Sequence, residues 1–214
     1  MAYTVSDITS GIQDDLGDPN FSTSRILRYM NRGQQLIFAT HLFRFCEKVI
    51  EGDLTIGEHT YEQQTDHQST IGGVVTDPTN TNSYFLLNED SYMQPDDFFQ
   101  KYPNPQNNSQ GMPVNWTEYG DQVYFNCPVD KAYTFKQRYY RVPALLVNTG
   151  DVPTVPEEFR EVLEHYILYR SEKRRGNHDI AGTYKQDYED GLEAMVFRYT
   201  GNHVAPAVMA HARS

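Results

Sequence analysis

Residues 114–140 read VNWTEYGDQVYFNCPVDKAYTFKQRYY, and this stretch decides the fold class. Val114 to Thr117 alternates, Glu118-Tyr119-Gly120-Asp121 is turn chemistry, and alternation resumes over Val123-Tyr124-Phe125. Pro128-Val129-Asp130-Lys131 makes a second turn. Successive side chains of a strand point to opposite faces, so Tyr133, Phe135, Gln137 and Tyr139 share one side, with Thr134, Lys136, Arg138 and Tyr140 on the other. The pattern predicts a three-stranded antiparallel meander. Upstream, Lys48–Ile50, Leu54–Ile56, Val74–Val75 and Tyr84–Leu87 are β-favouring pieces expected to add strands, and Gly72-Gly73 reads as a loop. Pro95-Asp96-Asp97-Phe98-Phe99 starts a short helix, with proline in the first turn and acids at the positive end of the dipole.

Helical periodicity flanks this β-rich middle on both sides. A first helix is expected from about Ser6, its N-cap, to Leu16, with Ile8, Ile12 and Leu16 on one stripe. Gly17-Asp18-Pro19-Asn20 breaks the chain. A second helix, capped by Thr23 or Ser24, should reach about Phe45 with Ile26, Met30, Gly33 and Ile37 inward. Beyond the β region, Pro156, Glu157 and Glu158 open a third, whose stripe is Phe159, Val162, Leu163, Tyr166 and Ile167 and whose end is Gly176-Asn177. A fourth runs from about Asp179 to Thr200, with Ile180, Tyr184, Tyr188, Leu192, Met195 and Tyr199 on its inner face. The short loop between these two makes them an antiparallel hairpin. The expected fold class is α+β: a bundle of about four helices, two N-terminal and two C-terminal, around a central antiparallel β-rich insertion. The domains would be 1–45 with 151–201, a discontinuous helical body, and 46–150, the insertion. A tail, 202–214, has too little side chain to fold alone, and is either left unfolded or held by a neighbour.

Charge narrows the function. The net charge is −11, and affinity for DNA comes mostly from cations that neutralise phosphates, so a tight grip on nucleic acid is not expected. Sixteen Tyr and eleven Phe against one Trp suit protein interfaces, and suit strands as well. No apolar run is long enough to span a membrane, and the N-terminus lacks the basic-then-apolar pattern of a secretory signal. Cys46 and Cys127 form no CxxC pair and read as reduced thiols, buried or half-buried.

Catalytic patterns are missing. There is no nucleophile elbow, phosphate loop, dinucleotide fingerprint or HExxH. The histidines, His41, His59, His67, His165, His178, His203 and His211, are scattered; Glu161 and Glu164 beside His165 read as a solvated face paired at i,i+4. His41 and Cys46, five apart on one helix, would not face each other. No catalytic residue, metal site or cofactor is expected. Arg170, Lys173, Arg174 and Arg175 crowd the end of the third helix, where cations complement the dipole; they could also dock on an acidic surface of another subunit.

Certain turn and packing residues carry a resemblance: Gly111-Met112-Pro113, Trp116, Gly120, Asp121, Tyr139-Tyr140-Arg141-Val142-Pro143 and Val152 to Pro156, together with Arg28-Tyr29-Met30-Asn31-Arg32 near the front. In these and in its layout the chain resembles the head-to-tail adaptor proteins of tailed bacteriophages, short-tailed phages especially, and 57–90 matches least well. The resemblance implies a structural, non-enzymatic subunit of the virion neck, made in the host cytoplasm. Its partners would be the portal protein above, a tail or nozzle protein below, and copies of itself in a ring, usually of twelve. Genomic DNA would pass through without tight binding. The tail would dock on the portal through Val204, Pro206, Val208 and Met209. Another reading is a tail-side or receptor- and fibre-attachment module, with Trp116 and nearby tyrosines as an aromatic platform.

Overall fold

A computed structural model describes residues 3–200. In chain order the elements are helices α1 (Val5–Asp15) and α2 (Thr23–Thr40) and strands β1 (Glu47–Asp53), β2 (Thr60–Glu62), β3 (His67–Asp77) and β4 (Asn80–Leu87). Helix α3 (Pro95–Lys101), strands β5 (Trp116–Tyr119), β6 (Gln122–Phe125) and β7 (Thr134–Arg141), and helices α4 (Arg160–Arg175) and α5 (His178–Thr200) follow. The class is α+β with antiparallel sheets. The chain divides into two compact units: Glu47–Arg141, and the residues on either side of it. No described helix is long and apolar enough to cross a membrane.

In the helical unit, α1 is capped by Thr4 rather than Ser6. The Thr4 hydroxyl accepts from the Asp7 N–H, and the Asp7 carboxylate accepts from the Thr4 N–H at 2.7 Å, a reciprocal box that the sequence Thr4-Val5-Ser6-Asp7 encodes. Val5, Ile8 and Ile12 are fully buried. Helix α2 follows Ser22 and stops at Thr40, short of the expected Phe45. His41 turns extended, and Phe43 and Phe45 fold back edge-on against Phe38 at 5.6 and 5.8 Å. A continuing helix would carry Phe43 to the opposite side from Phe38, so ending it lets the three rings bury together. Helix α4 buries Val162, Leu163, Tyr166 and Ile167 and packs against α1, α2 and α5. It ends at Gly176, whose φ of 86° only glycine adopts freely. On α5, Met195 is buried, but Ile180 points outward and Ala181 takes the inward place at its start.

The β unit departs from the expected meander. Strands β5 and β6 form a hairpin through Gly120, whose φ is 61°, and β2 completes that sheet in the order β2-β6-β5. Strand β7 leaves it for a second sheet, ordered β1-β7-β3-β4, where it sits between β1 and β3. The connection explains this. Pro128 has no N–H to donate, and the residues around it pair with 54–58: the Val129 and Gly57 N–H groups reach Glu58 and Val129 carbonyls, and Leu54 N–H reaches Tyr133. Leu54 is accordingly a core residue just past β1, and Ile56 is exposed in a turn rather than in a strand. Phe125 of one sheet meets Phe135 of the other, 6.0 Å apart, amid Val75, Leu87, Val123 and Val129.

Gly72-Gly73 is no loop either; both lie inside β3, where the register with β7 shifts. A β-carbon on Gly73 would come within 2.5 Å of the Lys136 carbonyl oxygen, and one on Gly72 within 2.9 Å of that of Leu87. The pair marks close backbone approach at a bulge.

Two helical glycines are expected to respond oppositely to alanine. A β-carbon on Gly33 would sit 2.9 Å from the buried Tyr166 ring, whereas Gly182 has open space. Gly33→Ala should lower stability by about 1 kcal/mol through overpacking, and Gly182→Ala should raise it by about 0.5–1 kcal/mol through helix propensity. Denaturant midpoints of the two variants check this.

Candidate interaction surfaces

The chain between β7 and α4 is irregular yet fixed. The Asn31 side-chain amide donates to the Leu146 carbonyl and accepts from the Leu146 N–H, both at 2.8 Å. Gln34 accepts from the Thr154 N–H at 2.6 Å, and the Tyr3 hydroxyl donates to the Val155 carbonyl at 2.8 Å. The Asp151 carboxylate accepts from the Asn148 and Val147 N–H groups, which hold its pKa below the usual carboxylate range. Carbonyls of Thr149 and Asp151 accept from Ser6 and Val5, donors that the start of α1 leaves without helical partners. With Leu146 and Val155 turned in, Val142, Leu145, Val147 and Val152 are turned out; Leu145 and Val147 are each 65% exposed. The result is an apolar ledge on a pinned backbone.

A second surface is the outer face of the four-stranded sheet. Glu47, Val49 and Glu51 of β1 align across the register with Tyr140, Arg138 and Lys136 of β7, then with Gly72 and Val74 of β3, and with Leu86 of β4. A shallow groove of about 320 Å³ on this face is lined by Val49, Gly72, Val74, Lys136 and Arg138. Lys136 pairs with Glu51 at 3.1 Å, so its charge is partly met within the face.

A family model described as SU10 adaptor protein matches residues 3–210. The chain belongs to the SU10 adaptor protein family. Nothing among the curated proteins matches it. The resemblance to phage head-to-tail adaptors is borne out over nearly the whole chain, and membership makes it a structural adaptor of a bacteriophage, of a family whose work is not enzymatic.

The motif residues of this adaptor divide between the interior, where Trp116 and Tyr139 are buried, and the surface, where Gly120, Asp121 and Arg141 are exposed. Trp116 is buried, its indole N–H donating to Ser91 Oγ at 3.0 Å and its ring meeting Tyr92 edge-on; it is no exposed aromatic platform. Gly120 and Asp121 form the β5–β6 loop. Tyr139 is buried and donates its hydroxyl to Asp66 at 2.7 Å, Tyr140 and Pro143 are half-buried, Arg141 is exposed, and Pro156 leads into a single 3₁₀ turn before α4. In the basic cluster, Arg175 bonds Asp18, Glu172 and the Leu16 carbonyl, Arg170 lies over the Tyr29 ring and Lys173 over that of Tyr169. Arg174 is exposed. Residues Val204, Pro206, Val208 and Met209 lie outside the described residues.

Sequence reasoning missed the ledge and its clamps, although Asn31 and Gln34, amides beside the apolar stripe of α2, were a signal. It also missed a half-buried polar cluster in the β unit. Glu118 accepts from Gln63 at 2.8 Å and from Thr70; His67 Nε2 lies 3.0 Å from Thr70 Oγ1 and 3.6 Å from Glu118. Gln137 donates to Thr70 at 2.5 Å, tying the cluster to β7. Every member is held by its neighbours, which suits fixing the β3–β7 register better than chemistry. No group of three or more His, Cys, Asp or Glu able to hold a metal occurs among the described residues.

Burial pushes His67 below the usual imidazole range, against the pull of Asp66, and pushes the Glu118 carboxyl up, against its hydrogen bonds from Thr70 and Gln63. A histidine with a lowered folded pKa binds protons more readily in the unfolded chain, so stability should fall as pH drops through about 6.5. Glu118 has the opposite sign and tempers the fall at lower pH. His67→Gln should flatten the loss between pH 7.5 and 5.5, read from denaturant midpoints; an unchanged slope would show that His67 does not cause it.

Proposed function

We propose that this adaptor forms a ring beneath the portal at the virion neck, extends the channel through which DNA leaves the head, and offers the tail its attachment surface. The observation that carries the reading is the pinned ledge, in a chain whose family is that of phage adaptors. Large apolar side chains held out on a fixed backbone lose little entropy on docking, which favours a protein partner. The ring would hold twelve copies, as in short-tailed phages, with the four long helices of each chain as one bundle. The tail, 202–214, would dock on the portal, and Arg174, exposed at the end of α4, would meet an acidic neighbour. Helix α5 exposes Asp179, Glu189, Asp190 and Glu193, and acids of this kind lining a channel would repel phosphate and let DNA slide.

Mass determination of the chain alone and with its cognate portal tests this. One adaptor per portal subunit is expected. Leu145→Glu with Val147→Glu should abolish the complex while changing stability by no more than about 0.5 kcal/mol, since both sites are exposed. Deleting 202–214 should weaken the complex and leave the fold intact. Wild-type chain that ignores an intact portal would refute the portal reading, and full binding by the double variant would refute the role of the ledge.

A further inference from the structure

The four-stranded sheet ends in two edge strands that differ in character. Among the described residues, β1 pairs with β7 alone among the strands and β4 with β3 alone, although the Leu86 carbonyl near the end of β4 accepts from Ser91 Oγ at 2.6 Å. Isolated edge strands usually carry charge, proline or bulges that discourage further pairing. β1 carries Glu47, Lys48, Glu51 and Asp53, but β4 reads NTNSYFLL, eight residues without a charge or a proline. It also exposes Tyr84 (56%) and Leu86 (47%), on the face where β1 exposes Val49 (53%).

We propose that β4 of one copy pairs with β1 of the next, so that the sheets of neighbouring subunits run on as one across each seam of the ring; this rests on the ring reading above. Direction fits. All three pairings within the sheet are antiparallel, so strands alternate, and a β1 placed beside β4 continues the alternation. Length fits too: the seven residues of β1 meet the part of β4 that precedes the Leu86 carbonyl held by Ser91, about six residues, a seam of about 20 Å. Charge disfavours β1 against β1. Two β1 strands paired antiparallel about Ile50 would set Glu47 opposite Asp53 twice, like charges that repel across strands, whereas β4 presents none. Across a β4–β1 seam Val49 comes beside Tyr84 and Leu86 on one face, and Ile50 beside Phe85 on the other. Such a contact joins different patches, as a ring requires. A single strand seam covers much less than the roughly 1,600 Å² of a standard interface, so two chains alone hold weakly, and closure gives each chain two seams.

The test is disulfide trapping on the portal-bound assembly. Cys46 and Cys127 are buried and give a low background. Two double variants, Val49→Cys with Leu86→Cys and Val49→Cys with Tyr84→Cys, cover the two nearest registers. On mild oxidation at least one is expected to run as a ladder of linked chains on a non-reducing gel, with no product from any single variant. A ring that assembles while neither double variant links would overturn the seam alone. Chains that remain single in the presence of portal would overturn the ring and the seam together. Dimers from Leu86→Cys by itself would show β4 pairing with β4, and would overturn the proposal in favour of a two-fold contact.

Discussion

The β unit depends on saturating both edges of β7. Its seven-residue pairing with β1 on one side and its longer pairing with β3 on the other leave it no open backbone. That central place lets Phe135, Gln137 and Tyr139 be wholly buried while Lys136 and Arg138 remain in solvent. The two polar members of the inward row each need a partner, because an unmet polar group in the interior costs about 1–3 kcal/mol. Tyr139 finds Asp66, and the Gln137 amide nitrogen finds Thr70, while its side-chain oxygen is buried without a partner. The partners lie on or just before β3, so these bonds fix where β3 sits against β7. Gly73 completes the arrangement by admitting the Lys136 backbone where any side chain would collide with it.

The helical unit solves the corresponding problem without strands. Residues 142–156 have few regular partners of their own, and a buried irregular backbone is costly unless its amides are met. Asn31 and Gln34 meet them from α2, and α1 uses two carbonyls of the segment to satisfy the donors of its first turn. Helix start and loop thus stabilise each other. The ledge owes its rigidity to this exchange, as the groups that pin it are side chains of packed helices.

Local chemistry was legible in the sequence; long-range choices were not. The alternation at Tyr133–Tyr140 named the inward face of β7 correctly, since face depends only on period two, and Gly176 ended α4 where its left-handed φ is needed. Which sheet β7 joins depends on the pairing of 54–58 with 128–133, partners some seventy residues apart, and no period reports that. Ile180 failed for a related reason: the helical stripe admits either of two neighbours inward, and the close approach of α4 chose the smaller Ala181. The end of α2 was hidden by Phe43 and Phe45, which look helical in isolation and are claimed instead by Phe38. The ledge was least visible, because its exposure follows from hydrogen bonds to Asn31 across more than a hundred residues.

The pairing of Glu47 with Tyr140 has a consequence for how such a chain can diversify. The β unit is entered along β1 and left along β7, adjacent antiparallel strands whose facing α-carbons lie only about 5 Å apart. Everything from 47 to 141 therefore hangs from one narrow doorway. A segment attached in this way can be lengthened, shortened or exchanged without stretching the chain on which it is mounted, because the distance the host must bridge does not change with the guest. Evolution could swap the guest while the host, with its pinned segment and closing helices, stays as it is.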